Sequence, residues 1–444
     1  MKRVFVLLLA FAAWGVCAQD FDSAKLDKYF ALLEKEDKAM LSVAIVDGGE
    51  PVYQRAIGFA DVASGRKAGS DTQYRVGSIT KMFTAVMIFQ LIEEEKLSLD
   101  TPLYTFFPDI KNAGAITIGM LLSHRSGLHN FTNLPAYRSY MTSPRSKAEM
   151  LSVFEALDTD FPPGTDTRYS NTGYVLLGYI IEELGNDSYG SQLQSRIVEK
   201  AELKRTAYGD AIDVEQDQAN SYYYDGGWQP ATETNMSVPH GAGAVISTPT
   251  DVATFLTALF EGKLVSSSSL AMMKRVQKGL GHGLFPFPFY ERTLWGHNGS
   301  IDGFASQSGY FEMGNVAFAL TANGVNYTLN EISVAVLSIY FGLPYELPDF
   351  SKEPVTLSES QLSTYEGTYS SDAIPLKITL TVKDGILMAQ ATGQNAFPLT
   401  AFSPTEFQFE PAGIVMMFKS SGKENEKPAF DLLQGGGNYL FVRE

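Results

Sequence analysis

Cysteine is almost absent from this sequence of 444 residues, in which Cys17 is the only one. Two basic residues, an apolar run at positions 4–16 and the small residue Ala18 form the pattern of an export signal that is cleaved after Ala18. Cleavage there leaves no cysteine in the mature chain, which excludes disulfides, thiol catalysis and cysteine metal sites. We therefore expect an exported protein, periplasmic or secreted. Lipid attachment at Cys17 is the less favoured alternative, because the preceding residues match a lipidation signal poorly.

Histidine is also scarce. The five histidines, at positions 124, 129, 240, 282 and 297, contain no His-Glu-x-x-His pattern. Without that spacing and without cysteine, a zinc site is not expected. The sequence indicates neither a metal nor another cofactor.

Basic residues are outnumbered, with 34 Lys and Arg against 50 Asp and Glu, which gives a formal net charge of −16. Such a chain repels a nucleic-acid backbone, and it contains no basic run that would bind one. No apolar run reaches the roughly 18 residues of a membrane-spanning helix. Neither nucleic acid nor a membrane span is therefore expected, and the oligomeric state stays open. The small-molecule or peptide-like substrate that we expect as the partner follows from the motifs.

The length exceeds what one hydrophobic core usually holds, so we expect a large domain and a smaller one. Mixed helical and strand patterns between residues 22 and 342 predict an α/β domain. It begins with a helix at 22–36 and a hairpin of strands at 41–47 and 51–59. The remaining signals are helices at 78–95, 116–124, 147–157, 171–185, 249–261 and 329–341, and short strands between 291 and 322.

A different pattern follows a proline-containing linker at 343–354. Apolar and polar residues alternate over 376–382, and Asp384-Gly385 then supplies a tight hairpin turn. We predict that residues 355–444 form a small antiparallel β domain, a barrel or a sandwich.

The tetrad Ser-x-x-Lys can activate a serine when it opens a helix, because the two side chains then share one face and the amine reaches the hydroxyl. The sequence contains it three times, as Ser64 with Lys67, Ser78 with Lys81, and Ser420 with Lys423. The first and third lie in glycine-containing turns, whereas only Ser78 begins an apolar helix. Ser78 is therefore the candidate nucleophile and Lys81 its activating base, although serine is also a common helix cap.

Two further elements strengthen this assignment. Tyr169-Ser170-Asn171 is the only Tyr-x-Asn, and it precedes a predicted helix. A tyrosine near a lysine can become a phenolate-like base, and Asn171 can hold a substrate amide. In the third element, His297-Asn298-Gly299-Ser300, Gly299 lets a substrate approach the strand backbone and the amide of Ser300 can contribute to an oxyanion hole.

The order Ser-x-x-Lys, Tyr-x-Asn, His-x-Gly, together with Leu-Leu-Ser-His-Arg-Ser-Gly-Leu at 121–128, resembles the serine penicillin-recognising family of class C β-lactamases, D-alanyl-D-alanine carboxypeptidases and related esterases. The resemblance spans residues 22–342. It implies an α/β (α+β) β-lactamase/transpeptidase-like domain with an antiparallel sheet and a helical subdomain, and the site between them. It also implies an acyl-enzyme on Ser78, with the backbone amides of Ser78 and Ser300 as oxyanion donors. Residues 355–444 resemble the lipocalin-like β-barrel domains of some members.

His297 departs from the pattern, because β-lactamases of this type usually carry Lys-Thr-Gly. A histidine with a pKa of about 6.5 is largely neutral at pH 7 and suits a β-lactam carboxylate less well than a lysine does. The departure favours the peptidases and esterases. If His297 binds an anionic substrate group, its protonation near that pKa should favour such substrates as the pH falls.

We therefore expect a serine hydrolase that cleaves a small ester or peptide-like amide through an acyl-enzyme. The alternatives are a D-amino-acid peptidase or acyl transferase, a β-lactamase, and a penicillin-binding sensor that is acylated without turnover. Each motif residue alone has a structural explanation, and the assignment rests on their order and elements together. For His124 the structural role is favoured, because Ser126-Gly127 shapes the backbone beside it.

Overall fold

The computed structural model describes residues 21–409, 413–419, 427–434 and 437–444. The predicted export signal, with Cys17, and the Ser420–Lys423 tetrad lie outside these residues. Within the described ranges, no helix is long and apolar enough to cross a bilayer.

The larger domain is built on a six-stranded antiparallel sheet in the order β10-β11-β12-β13-β1-β2. The predicted first hairpin is present, and both glycines of its Gly48-Gly49 turn have positive φ, of 57° and 91°, as a two-residue turn of this type requires. The strands are β1 (Ala39–Asp47), β2 (Glu50–Ile57), β10 (Phe285–Phe289), β11 (Arg292–Ile301), β12 (Phe304–Phe311) and β13 (Val316–Val325).

Helices cover both faces of this sheet, and local capping explains where several of them begin. Thr248, for example, accepts from the amide of Asp251 and precedes Pro249, the first residue of its helix. The helices are α1 (Ser23–Lys35), α2 (Thr80–Glu93), α3 (Ile118–Leu122), α4 (Tyr137–Tyr140), α5 (Lys147–Glu155), α6 (Asn171–Gly185), α7 (Tyr189–Leu193), α8 (Pro249–Phe260), α9 (Ser267–Met273), α10 (Leu329–Tyr340) and, before the barrel, α11 (Glu359–Leu362).

Two hydrophobic cores result. One face of the sheet packs against α1 and α10. On the other side a larger core surrounds α2 and α6, which are buried along most of their length, and includes α8. Helices buried on all sides are expected in the interior of a large domain, and this arrangement places the start of α2 and the start of α6 side by side.

Short strand pairs complete this domain. They fix loops around the beginning of α2, because β5 and β6 both pair with β9. The strands are β3 (Phe59–Asp61), β4 (Arg66–Lys67), β5 (Tyr74–Arg75), β6 (Ala207–Tyr208), β7 (Tyr222–Tyr224), β8 (Trp228–Pro230) and β9 (Val245–Ser247).

Residues 343–358 contain no helix or strand. The segment is nevertheless not fully exposed, because Leu343, Tyr345, Leu347 and Phe350 pack against the core beneath α1 and α10. A purely solvated linker would not bury apolar side chains in this way, so its first half is attached to the larger domain.

The C-terminal part is a closed eight-stranded antiparallel barrel, which decides between the two predicted architectures. Its alternating residues fill a core of their own. The predicted Asp384-Gly385 turn has φ values of 52° and 74° and joins β15 to β16. The strands are β14 (Gly367–Ser370), β15 (Lys377–Lys383), β16 (Ile386–Ala391), β17 (Phe397–Ala401), β18 (Glu406–Phe409), β19 (Ile414–Phe418), β20 (Ala429–Gln434) and β21 (Gly437–Arg443).

Candidate active site

Ser78 lies in a short 3₁₀ turn, Gly77–Ile79, that runs directly into α2. The regular helix thus begins slightly later than the sequence pattern predicted. The turn is fixed to β9, because the Val76 amide donates to the Val245 carbonyl at 3.1 Å and the Val245 amide donates to Thr80 Oγ1 at 3.0 Å. The nucleophile candidate is therefore flanked on both sides by residues that are hydrogen-bonded to β9.

Lys81 follows one turn later and is fully buried. Its Nζ lies 2.9 Å from Ser78 Oγ, 2.8 Å from Asn171 Oδ1 and 2.8 Å from the carbonyl oxygen of Ala242. Burial holds the pKa of Lys81 well below its usual value. The amine is thereby shifted toward its neutral form, in which it can accept a proton.

The partners of Lys81 orient that neutral amine. A neutral amine has two hydrogens and one lone pair, and the oxygens of Asn171 and Ala242 can only accept hydrogen bonds. Both hydrogens are therefore directed to these two oxygens, and the lone pair is left for the Ser78 hydroxyl. This is the geometry of a base that removes the serine proton.

Asn171 is the first residue of α6, and its orientation is determined by its neighbours. Its amide nitrogen Nδ2 donates to Thr132 Oγ1 at 3.2 Å, and its backbone amide donates to Asn130 Oδ1 at 3.0 Å. Its side-chain oxygen is thus directed at Lys81. Asn171 also lines the cavity in front of Ser78, where the second hydrogen of Nδ2 can meet a substrate.

Tyr169 precedes α6 and lies beside the lysine, with its ring centre 4.9 Å from Lys81 Nζ. Burial raises the pKa of the Tyr169 phenol, and a hydrogen bond with the Ser78 side chain opposes this only in part. The phenol is consequently neutral. The predicted phenolate-like base is not favoured here, and a neutral hydroxyl that passes protons fits the environment better.

His124 and His297 lie behind this group and are both buried. The His124 ring stacks on Tyr169 with centres 4.3 Å apart, and its Nδ1 accepts from the Ser170 amide at 3.2 Å. Both contacts hold Tyr169 in place. His124 therefore has the structural surroundings that the sequence favoured.

His297 packs between Phe285 and Tyr169, with ring centres at 4.5 and 6.2 Å. Burial, aided by the nearby charge of Lys81, lowers the pKa of His297 to about 3. The expectation that His297 titrates near pH 6.5 is therefore wrong. Its side chain is not among the residues that line the cavity, whereas Ser300 on the same strand is.

Of the third motif, only Ser300 lines the cavity in front of Ser78. β10 pairs with β11 only as far as Gly296, so the stretch 297–301 has one unpaired edge. A Cβ atom built on Gly299 would lie 1.9 Å from the Val76 carbonyl oxygen. We expected a substrate to approach the strand backbone at Gly299. The Val76 carbonyl, in the backbone before Ser78, occupies that space instead.

Gly77 makes the matching contact from the other side. It has a φ of +52°, and a Cβ built on it would lie 2.8 Å from the Ser300 amide nitrogen. Only glycine allows this close approach and this conformation together. The two glycines bring the backbone at Ser78 and Ser300 together, as two oxyanion donors require.

A cavity of about 730 Å³ opens in front of Ser78, a size that accommodates a small ligand. Ser78, Asn171 and Ser300 line it, whereas Lys81, Tyr169, His297 and Gly299 lie outside the lining. The other lining residues are Gly77, Phe131, Thr132, Tyr137, Arg138, Met141, Tyr223, Thr232, Thr234, Pro239, Ala242, Gly243, Ile301 and Asp302.

Sequence reasoning missed a buried ion pair beneath one wall of this cavity. Arg75 donates to Asp302 Oδ2 at 3.1 Å and to Glu233 Oε1 at 2.7 Å. Asp302 in turn accepts from the hydroxyl of Thr234 at 2.6 Å. Three separate segments of the chain meet there, and no spacing in the sequence relates them.

The alternative tetrad in the described residues does not form a comparable pair. Lys67 is exposed and bonded to Glu34 at 3.0 Å, and the Ser64 amide donates to Asp61. Nothing directs its amine at the Ser64 hydroxyl. Among the described residues, no group of three or more histidine, cysteine or acidic residues is arranged to hold a metal ion.

The chain is similar in sequence and in fold to proteins of known class. The chain is 25% identical over 447 residues to a penicillin-binding protein of Bacillus subtilis (strain 168), covering 94% of this chain and 98% of that one. It is 26% identical over 243 residues to a teichoic acid D-alanine hydrolase of Staphylococcus aureus, covering 54% of this chain and 58% of that one.

Among solved structures, a D-amino acid amidase from Ochrobactrum anthropi SV3 superposes with a TM-score of 0.60 at 30% identity, covering 70% of this chain and 99% of that one. The model of the family described as Beta-lactamase matches residues 28–335. That range holds Ser78, Lys81 and every residue that lines the cavity. The chain therefore belongs to the β-lactamase family and is a serine hydrolase.

Proposed function

We propose that Ser78 is the nucleophile, that Lys81 is its base, and that the reaction passes through an acyl-enzyme. The observation that carries this proposal is the set of three contacts of Lys81 Nζ, which leave its lone pair for the Ser78 hydroxyl. As Ser78 Oγ forms a bond to the substrate carbonyl carbon, its proton moves to Lys81 Nζ. The carbonyl oxygen becomes an oxyanion, which the amides of Ser78 and Ser300 stabilise.

Collapse of this intermediate breaks the bond to the leaving group, which must gain a proton. Tyr169 is suited to deliver it, because its neutral phenol contacts Ser78 and its ring lies beside Lys81. The proton taken by Lys81 passes to the leaving nitrogen or oxygen through the Tyr169 hydroxyl. Water then attacks the ester by the reverse route and releases the acid and free Ser78.

The substrate we propose is a small D-amino-acid ester or amide. Two of the three relatives named above are a teichoic acid D-alanine hydrolase and a D-amino acid amidase, and the cavity has room for a compact acyl group with its leaving group. The pattern of an export signal at residues 1–18 supports the proposal that this reaction occurs outside the cytoplasm.

Paired chromogenic substrates test this function. D-alanine p-nitroanilide and its L-isomer differ only in configuration, and we expect hydrolysis of the D-isomer to be at least tenfold faster. Quenching early in the reaction should show an alanyl adduct on the intact protein. Ser78→Ala should abolish both signals, and Ser64→Ala, the matched serine of the other described tetrad, should leave both unchanged. Equal rates for the two isomers would contradict the proposed substrate class.

A penicillin-binding sensor is the second candidate, because a penicillin-binding protein matches nearly the whole chain. A sensor is acylated by penicillin and remains acylated. The function proposed here requires that D-alanyl substrates turn over many times per Ser78. A penicillin adduct that persists for hours, together with a single turnover of every D-alanyl substrate, would favour the sensor.

A further inference from the structure

The cavity in front of Ser78 contains very few charges. Of its lining residues only Arg138 and Asp302 are ionisable acids or bases that are charged near pH 7. Lys81 lies behind the lining, and its Nζ is within hydrogen-bond distance of three protein oxygens. Arg138 and Asp302 are therefore the only charged partners that the cavity lining offers a substrate.

Asp302 cannot take a ligand. Its side chain is 1% exposed and pairs with the buried guanidinium of Arg75. Its two oxygens also accept from the backbone amide and the hydroxyl of Thr234. The carboxylate is thus neutralised and fully hydrogen-bonded within the protein.

Arg138 is the opposite case. Its side chain is exposed at the cavity, on the four-residue helix α4. Within the described part of the chain, its guanidinium has no ion-pair or hydrogen-bond partner. An arginine fork of this kind binds a carboxylate through two parallel hydrogen bonds.

The backbone that carries Arg138 is held firmly against the cavity. Tyr140 is buried, and the Tyr137 ring packs edge-on against it and against Phe131. The Met141 carbonyl accepts from the Asn235 amide at 2.8 Å, which ties α4 to the segment beside Thr234. Arg138 therefore projects from a fixed position rather than from a free loop tip.

We propose that Arg138 selects substrates that carry a carboxylate, an inference that rests on the function proposed above. A single cation suits a group with one negative charge. A polyanion such as a phosphate polymer would need several basic residues, but the cavity offers one and the whole chain has a net charge of −16. The substrate would then be a D-amino-acyl ester or amide with a carboxylate on its acyl or leaving side.

Two pairs of activated esters test this without depending on D-amino-acid preference. On the leaving side, p-nitrophenyl butyrate is compared with 3-carboxy-4-nitrophenyl butyrate. On the acyl side, p-nitrophenyl pentanoate is compared with p-nitrophenyl hemiglutarate. The quantity measured is kcat/KM for the anionic ester divided by kcat/KM for its neutral partner.

We expect Arg138→Gln to lower this ratio about tenfold for one of the two ester pairs. Arg138→Lys should retain most of the ratio of the unmodified protein. Arg275→Gln is the matched control, because Arg275 is also exposed and lies outside the cavity. It removes the same charge from the protein and should leave both ratios unchanged. A structural role of Arg138 would lower both members of a pair equally.

Unchanged ratios in both arms of Arg138→Gln, with neutral esters still hydrolysed, would overturn the role of Arg138 alone. A ratio that falls equally in Arg275→Gln would also overturn it, because net charge would then suffice as the cause. Failure of the proposed function would give a different result. In that case the unmodified protein would not hydrolyse the neutral esters at Ser78.

Discussion

The carbonyl oxygen of Ala242 lies 2.8 Å from the side-chain nitrogen of Lys81 and accepts one of its hydrogens. Ala242 belongs to a 3₁₀ turn far along the chain from the Ser-x-x-Lys tetrad. Because a carbonyl can only accept, this contact and the one from Asn171 determine where the lone pair of the neutral amine points. Lys81 Nζ is thus oriented by residues from two other segments of the chain.

Replacing Lys81 by alanine should slow acylation of Ser78 at least a hundredfold, as expected for loss of a general base. Lys67→Ala is the matched control and should leave the rate unchanged. In the unmodified protein the rate should rise with pH and level off above the pKa of Lys81, because only the neutral amine accepts a proton. Burial lowers that pKa, so the midpoint should fall well below the ordinary lysine value of about 10.4. A midpoint at the ordinary value would refute this account of the base.

Tyr169→Phe should affect amides more than activated esters. An amide nitrogen must be protonated as it leaves, whereas p-nitrophenolate leaves readily without a proton. We expect a loss of about a hundredfold in kcat/KM for D-alanine amides and a much smaller loss for p-nitrophenyl esters. Equal losses for both substrate types would show that Tyr169 does not deliver the leaving-group proton.

His297 should not make substrate preference depend on pH. Its pKa is lowered to about 3 by burial and the charge of Lys81, so the imidazole stays neutral from pH 5.5 to 8. We therefore expect the rate ratio between carboxylate-bearing and neutral esters to be constant over that range. The measurement is kcat/KM for one matched ester pair at several pH values. Two results together would restore the original hypothesis: a ratio that rises toward pH 5.5 in the unmodified protein, and a ratio that stays constant over the same range in His297→Gln.

Gly77→Ala should strongly impair acylation, because the new Cβ would meet the Ser300 backbone and the φ of +52° is strained for alanine. A displacement of about 1 Å at the oxyanion donors corresponds to about a hundredfold loss of rate. Gly65→Ala is the control, since Gly65 has a φ of +73° with no neighbouring atom within 4 Å. It should cost only about 1 kcal/mol of stability and leave the rate per folded molecule unchanged. Equal kinetic effects of the two substitutions would contradict the close-approach argument.

The sequence predicted most long elements within a few residues, because their apolar spacing is regular and their caps are local. Helix α6, for instance, spans the predicted 171–185. The predicted helix at 116–124 shortens to Ile118–Leu122, because its last residues turn at His124, which has a φ of +56°. The barrel was distinguishable from a sandwich only in the structure, since closure depends on the pairing of β14 with β21 across the whole domain.

The motif residues could be predicted because the chemistry places a serine and a lysine one helical turn apart. The contacts of Ala242 and the Arg75–Asp302 pair could not, because they join distant segments and one of them uses only backbone atoms. The pKa of His297 was also mispredicted, because it depends on contacts with residues that are distant in the sequence. A sequence shows the residue type, but burial between Phe285 and Tyr169 sets its protonation.

Intact-mass analysis with a fluorophosphonate, followed by peptide mapping, tests the central claim that Ser78 is the nucleophile activated by Lys81. The account predicts one adduct per chain, located on the peptide that contains Ser78. The adduct should be absent in Ser78→Ala, form at least a hundredfold more slowly in Lys81→Ala, and be unchanged in Ser64→Ala. An adduct on another residue, or full labelling of a folded Ser78→Ala protein, would contradict it.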